Sequence, residues 1–383
     1  MGYTSSEKEL ATHFRGGMTE GIIPGTGVRI MSCMFHSSGG YAVSDGKYVP
    51  AVFRSLFRSG ELERRNSDFT YFIMTPGEST GKGAIILLHG LNERSWLKYI
   101  QWGVRLATDT GRPVVLFPSA YHMNRSPQTW IDRHNMMPMV TARTSMMPDI
   151  RLSSFVNVAL STRMTASPYR FMLSGYQTIT DLASLISSVR EGSHPDLPGG
   201  GPVDIFAYSI GALATQVMML SDPSPLPDDS RVMFFCGGSS FSLMNGTSRL
   251  IMDSRAFDKL LSFYLEWDGI KKVPDGHRLI KIMNDTPEGE AFFAMTSLER
   301  LQARRGTPFS KTDGRFKAVT LDGDRVIPPE AVSKTLTGAD LEVWDPGYAC
   351  THEIPFPVLA GEKSEAVDRT FDRLFDIAGT FLS

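Results

Sequence analysis

Val203-Asp204-Ile205-Phe206-Ala207-Tyr208-Ser209-Ile210-Gly211 reads as a short apolar strand that breaks at one serine and resumes as a helix. The helical part, Ile210 to Leu220, carries small residues in its first turn. A serine held between a strand and a helix in this way occupies a strained turn that projects its hydroxyl away from the sheet, and small neighbours keep the two elements from colliding. The stretch follows the pattern G-x-S-x-G with Ala207 in the first glycine place, where a methyl group still fits. The bland alternative makes Ser209 a simple helix N-cap. The rest of the chain decides between the two.

Working outward, Gly83-Ala84-Ile85-Ile86-Leu87-Leu88-His89-Gly90 is a continuous apolar run of the kind needed by a strand buried on both faces. Trp96, Leu97, Ile100, Val104, Leu106 and Ala107 then recur at helical spacing, Gly111 closes that helix, and Pro113 to Pro118 gives another buried strand. A helix from about Gly175 to Arg190 precedes the Ser209 strand. Strands follow at Arg231 to Cys236, Phe316 to Leu321 and Asp340 to Trp344, with a helix opening at Pro328-Pro329-Glu330 and a last one from about Ser364 to Leu382. Such alternation predicts an α/β fold, a mostly parallel central sheet with helices on both faces. Residues 1–68 read as an N-terminal extension with edge strands, Val28 to Met34 among them, and residues 69–383 as the main domain.

Two stretches interrupt the alternation, Ala120 to Met172 and Gly238 to Ser310. Both follow strands whose C-terminal ends face the Ser209 turn, so they are expected to lie over it as a lid. The first is rich in methionine, at Met123, Met136, Met137, Met139, Met146, Met147, Met164 and Met172. Flexible thioethers suit an adaptable apolar pocket, and equally suit gap-filling in a core.

The 383 residues carry a formal net charge of -2, leaving no basic surplus for a phosphate backbone and excluding nucleic acid as an expected partner. No apolar stretch approaches the roughly 20 residues needed to span a bilayer. Met1 to Lys8 lacks the apolar core of a signal peptide, which predicts a cytoplasmic protein. Gly2 and Ser6 match the minimal myristoylation pattern, too short to carry an expectation. Cys33, Cys236 and Cys350 form no C-x-x-C pair, and Cys236 sits in an apolar run as core packing. No metal-binding or dinucleotide motif is present, so no cofactor is expected. Oligomeric state is not legible.

A serine hydroxyl is a poor nucleophile at neutral pH unless a base takes its proton and a further group orients that base. Asp345 to Glu353, after the last strand, contains His352, and no histidine follows it in the chain. Leu321-Asp322-Gly323-Asp324-Arg325-Val326-Ile327-Pro328-Pro329 follows the penultimate strand and supplies two aspartates. With the strand order, the serine turn, the His89-Gly90 loop, this D-x-V-I-P turn and the late histidine in line, the chain resembles the α/β-hydrolase superfamily from about residue 69 onward. No substrate-defined subfamily is recognised.

The resemblance implies a triad of Ser209 as nucleophile, Asp324 as acid and His352 as base. Asp322 competes for the acid's role, its bland reading being a turn residue. The superfamily's other acid position, after the preceding strand, reads Gly237-Gly238-Ser239-Ser240 and offers no carboxylate. The backbone amides of Ile210 and Leu91 are the expected oxyanion donors, with His89 a scaffold for its loop. Candidates for substrate contact are Asn92, Arg94, Tyr208, His122 and Arg125. The implied activity is hydrolysis of an ester or related small-molecule acyl compound, of carboxylesterase or lipase type, with no cofactor. An acyltransferase using the same triad and a non-catalytic binding protein of the same fold are the alternatives.

Overall fold

The computed structural model describes residues 2–14, 17–18, 20–38, 49–57, 59–77, 82–266, 273, 277–304, 309 and 314–383. Parts of the N-terminal extension and of the second interruption, Ser310 included, lie outside them.

Apolar runs become strands where the sequence predicts them. In chain order these are β1 (Gly21–Ile22), β2 (Arg29–His36), β3 (Asp68–Thr75), β4 (Ala84–Leu88), β5 (Val114–Leu116), β6 (Val203–Tyr208), β7 (Val232–Phe235), β8 (Phe316–Leu321) and β9 (Asp340–Trp344). They form one sheet in the order β1-β2-β3-β5-β4-β6-β7-β8-β9. The steps from β1 to β5 are antiparallel and all those from β5 to β9 are parallel. The protein has the α/β-hydrolase fold. The two-residue β1 has no apolar run to announce it.

The two-residue period of a strand sends alternate side chains to opposite layers. Ile86, Ile205, Ala207 and Phe234 face a core made with helices Arg170–Arg190 and Ile210–Leu220. Ile85, Leu87, Phe206, Tyr208 and Phe235 face the other layer, built on helices Leu97–Thr110 and Glu362–Leu382. Trp102 sits at the centre of that second layer, its ring edge-on to Phe206, Tyr208 and Phe235. Gly111, with φ of 67°, ends the Leu97–Thr110 helix in the left-handed conformation that favours glycine. The N-terminal helix Tyr3–His13 joins the same layer, with Tyr3 stacked on Phe371 of the last helix at 4.3 Å. Cys236 is fully buried in this core.

The two interruptions are helical. The first contains helices Arg133–Met146 and Val158–Ala166, the second Ser254–Leu265, Arg278–Asp285, Pro287–Met295 and Leu298–Ala303. They are sewn together by buried polar groups. Arg143 Nε and Nη2 donate to Asp253 Oδ2 and Oδ1 at 2.6 and 2.9 Å, and the same Asp253 Oδ1 caps the Ser254–Leu265 helix by accepting from Ala256 N. Asn157 Nδ2 donates to Ser248 O at 2.8 Å. No described helix is long and apolar enough to cross a membrane.

Candidate functional site

Ser209 follows β6 directly and has φ of 56° and ψ of -118°, a left-handed conformation foreign to a side chain of ordinary preference. The turn closes because its neighbours are small. A Cβ on Gly211 would stand 2.7 Å from Leu88 Cβ, and one on Gly237 would stand 2.5 Å from Ala212 Cβ and 3.1 Å from Ser209 O. Ala207, in the first glycine place, is fully buried without disturbing the turn.

Three loops at the C-terminal ends of the parallel strands converge on this point. Ser209 Oγ lies 2.6 Å from His352 Nε2, and His352 Nδ1 lies 2.8 Å from Asp324 Oδ2. All three residues are buried. Asp324 is held by its own turn, since Oδ1 accepts the backbone amides of Val326 and Ile327 at 2.9 and 3.0 Å. With one carboxylate oxygen so occupied, the other is aimed at the imidazole. Asp322 caps Gly323 N from an exposed position and takes no part in this chain.

The loop after β4 is shaped by His89. Its Nδ1–H donates to Gly90 O at 2.8 Å and its Nε2 accepts from Ser119 N at 2.9 Å, which fixes the neutral tautomer. Burial lowers its pKa to about 4, the cations Lys98, Arg94 and Arg125 adding to the effect. Leu91 and Ile210 both line two apolar clefts, which also share Phe171. One runs over Ser209 to Phe241, Met244, Ile251, Met252 and Phe257, from the second interruption. The other runs between helices Arg170–Arg190 and Ile210–Leu220, past His122, Thr178, Ile179 and Leu213 to Phe292. An open hollow of about 640 Å³ beside Arg231, Lys317 and Asp340 lies at the opposite, N-terminal ends of the strands, away from Ser209.

Of the remaining candidates, His122 alone lines a cleft. Asn92 Nδ2 donates to Val156 O and Leu250 O at 3.1 and 2.7 Å, tying the β4 loop to both interruptions. Arg94 donates to Tyr121 O and Asn92 Oδ1 and lies over the Trp130 ring. Arg125 is fully buried, bonded to Asp181 Oδ2 at 2.8 Å, to both oxygens of Asn66 and to Pro118 O. Tyr208 points into the second core layer, where its hydroxyl donates to His352 O and its ring stacks on the imidazole at 5.7 Å. The methionines of the first interruption do not line either cleft; Met136 and Met139 pack with Phe53, Leu56 and Trp130 in a separate core, and Met137 and Met146 are exposed. Thioethers on a cleft wall come instead from Met244 and Met252.

Sequence reasoning missed a latch behind the histidine. Lys98 Nζ pairs with Glu93, donates to Glu353 O at 3.0 Å and lies 4.6 Å over the Tyr208 ring, while Ser248 Oγ bonds Glu353. Nothing in the local sequence marks this group, whose members are brought together by the fold alone.

The model of a family described as "Family of unknown function (DUF6051)" matches residues 54–383. The chain belongs to this family. Among curated proteins no sequence matches it. Similar solved structures include an S-formylglutathione hydrolase from Agrobacterium tumefaciens, at 13% identity and TM-score 0.49, covering 96% of this chain and 99% of that one. An esterase from Pyrobaculum calidifontis, at 11% and 0.45, covers 99% and 90%. Carboxyl esterase 2 from the mycorrhizal fungus Tuber melanosporum, at 11% and 0.44, covers 82% of each chain.

Proposed function

We propose that the protein is a serine hydrolase that cleaves an ester or related acyl compound through an acyl-enzyme on Ser209. The observation that carries this reading is the hydrogen-bonded chain from Ser209 Oγ through His352 to an Asp324 carboxylate locked by two backbone amides. Asp324 accepts the proton of Nδ1, so the lone pair of His352 Nε2 faces Ser209 Oγ. As Oγ attacks the substrate carbonyl carbon, Nε2 takes its proton, and the charge growing on the carbonyl oxygen meets the amides of Leu91 and Ile210. Nε2–H then protonates the departing alcohol. A water molecule, deprotonated by the same nitrogen, releases the acyl group and restores Ser209.

Tyr208 and the Lys98 latch hold the His352 backbone against the sheet, leaving the ring little freedom to leave Oγ. The apolar clefts suit the carbon chains of a small acyl ester, a substrate class consistent with a carboxylesterase working without a cofactor. The test is a fluorophosphonate probe with intact-mass readout: one adduct on the wild-type protein and none on Ser209→Ala. An unlabelled wild-type protein, or labelling of the Ser209→Ala variant, would overturn the proposal.

A further inference from the structure

The cleft between helices Arg170–Arg190 and Ile210–Leu220 is walled by Leu91, Phe171, Ile179, Leu213, Val217 and Phe292. One residue of its wall, His122, carries a buried polar atom without a partner among the described residues. His122 is only 7% exposed, its Nδ1 bonds Ala120 O at 2.9 Å, and its Nε2 has no hydrogen-bonding group within reach among the described residues. Two polar side chains of the same cleft are occupied: Thr178 Oγ1 donates to Ser174 O and accepts Ala120 N, and Ser174 Oγ donates to Phe171 O. Of the buried side-chain atoms left without partners in the described residues, His122 Nε2 is the one whose residue lines either cleft.

The protonation state of this imidazole follows from its surroundings. Ala120 O can only accept, so Nδ1 carries the hydrogen and Nε2 presents a lone pair. Burial, the His89 ring 5.2 Å away and the guanidinium groups of Arg94 and Arg125 all oppose a second proton. A buried acceptor without a donor is costly, and is retained most simply where a ligand supplies the donor.

We infer that His122 Nε2 receives a hydrogen bond from a hydroxyl or amide N–H on the substrate, so that the protein selects a mainly apolar chain bearing one donor at a set distance from the reacting carbonyl. Assignment of the ligand as substrate rests on the hydrolase reading above; the recognition by His122 does not. A chain extending from Leu91 and Ile210 into this cleft passes apolar walls until it reaches the imidazole, and an unsubstituted chain of equal length leaves Nε2 unpaired. The discrimination expected from leaving a buried acceptor unsatisfied is roughly tenfold or more in affinity.

Ligand binding to Ser209→Ala, which cannot turn over an ester, separates this inference from the reaction. Calorimetric titration with n-octanol and with octanediols carrying the second hydroxyl at successive carbons should show one diol binding roughly tenfold more tightly than the alcohol. In Ser209→Ala/His122→Phe, which keeps a ring but removes the acceptor, that preference should vanish while n-octanol binding persists. Ser209→Ala/His122→Gln, whose amide oxygen can accept, should recover part of it. Equal affinity for alcohol and diols, absence of binding to either, or a preference that survives His122→Phe overturns the inference. A wild-type protein inert toward esters but showing the diol preference would remove the proposed reaction and leave the role of His122 standing.

Discussion

Replacing Asp324 by asparagine tests the site at the point where its geometry makes the sharpest demand. Two backbone amides, from Val326 and Ile327, point at Oδ1. An asparagine at this position must therefore place its carbonyl oxygen there. The flipped orientation would set an NH₂ group against two N–H donors and forfeit two hydrogen bonds of about 1 kcal/mol each. The amide nitrogen then takes the place of Oδ2, 2.8 Å from His352 Nδ1, and acts as a donor. The imidazole answers by moving its hydrogen to Nε2, which presents an N–H to Ser209 Oγ where a base is needed. In the Ser-His-Asp template the same inversion lowers kcat about 10⁴-fold, or roughly 5.5 kcal/mol in the barrier. Asp324→Asn should therefore lose about 10⁴ in p-nitrophenyl ester turnover and in the rate of fluorophosphonate labelling, with its thermal unfolding little changed. Asp322→Asn, altering only an exposed cap on Gly323, should behave as wild type. An Asp324→Asn enzyme within about tenfold of wild type, or a crippled Asp322→Asn enzyme, would refute this account of the tautomer.

Gly211→Val should shift the Ile210–Leu220 helix off β4, because even a Cβ meets Leu88 at 2.7 Å. A loss of about 1–3 kcal/mol in denaturant unfolding, together with slower probe labelling, is expected. Arg143→Ala leaves Asp253 buried without its cation and should cost about 3–5 kcal/mol, with Asp253→Asn in the same chain recovering part. His89, held neutral in the fold, has its pKa lowered from 6.5 to about 4, so the unfolded chain binds the proton first as pH falls. Its contribution is thus whole above about pH 6.5 and is lost toward about pH 4, on the order of 3 kcal/mol in all. Urea midpoints should drop less steeply with acid in His89→Asn than in wild type. Across p-nitrophenyl esters of rising acyl length, kcat/KM should climb several-fold per methylene, about 0.8 kcal/mol each, until the apolar cleft is filled; a series flat from acetyl upward would show that the cleft does not hold the acyl chain.

The parallel half of the sheet was legible because strands buried on both faces need unbroken apolar runs, and Ala84–Leu88, Val203–Tyr208 and Phe316–Leu321 supply them. The serine turn was legible because close packing demands small residues at fixed offsets, seen at Ala207 and Gly211. Less could be read where a residue's role depends on distant partners. Arg125 reads as a candidate substrate contact until Asp181 and Asn66 close around it from positions 56 and 59 residues away. Arg143 and Asp253, 110 residues apart, join two helical segments through a contact that neither segment's own sequence announces. The methionines were ambiguous for a related reason: a flexible side chain fits a core and a pocket equally well, and only the surrounding walls at Phe53, Leu56 and Trp130 distinguish them.

Asn92 sits one residue beyond Leu91, and its side chain holds a carbonyl from each helical interruption, Val156 O and Leu250 O. Together with Arg94, which donates to Tyr121 O, it fastens the helical interruptions to the loop that carries Leu91, the oxyanion donor of the proposed mechanism. Under the proposed mechanism, helical segments that swung away would release that loop, and the amide of Leu91 would lose its aim at the moment the site opened to bulk water. Under the proposed mechanism, access and competence are coupled through Asn92 and Arg94. Loosening Asn92 should register first in turnover, with affinity for the carbon chain affected less, because the walls of the cleft survive a change that blurs the direction of a single N–H.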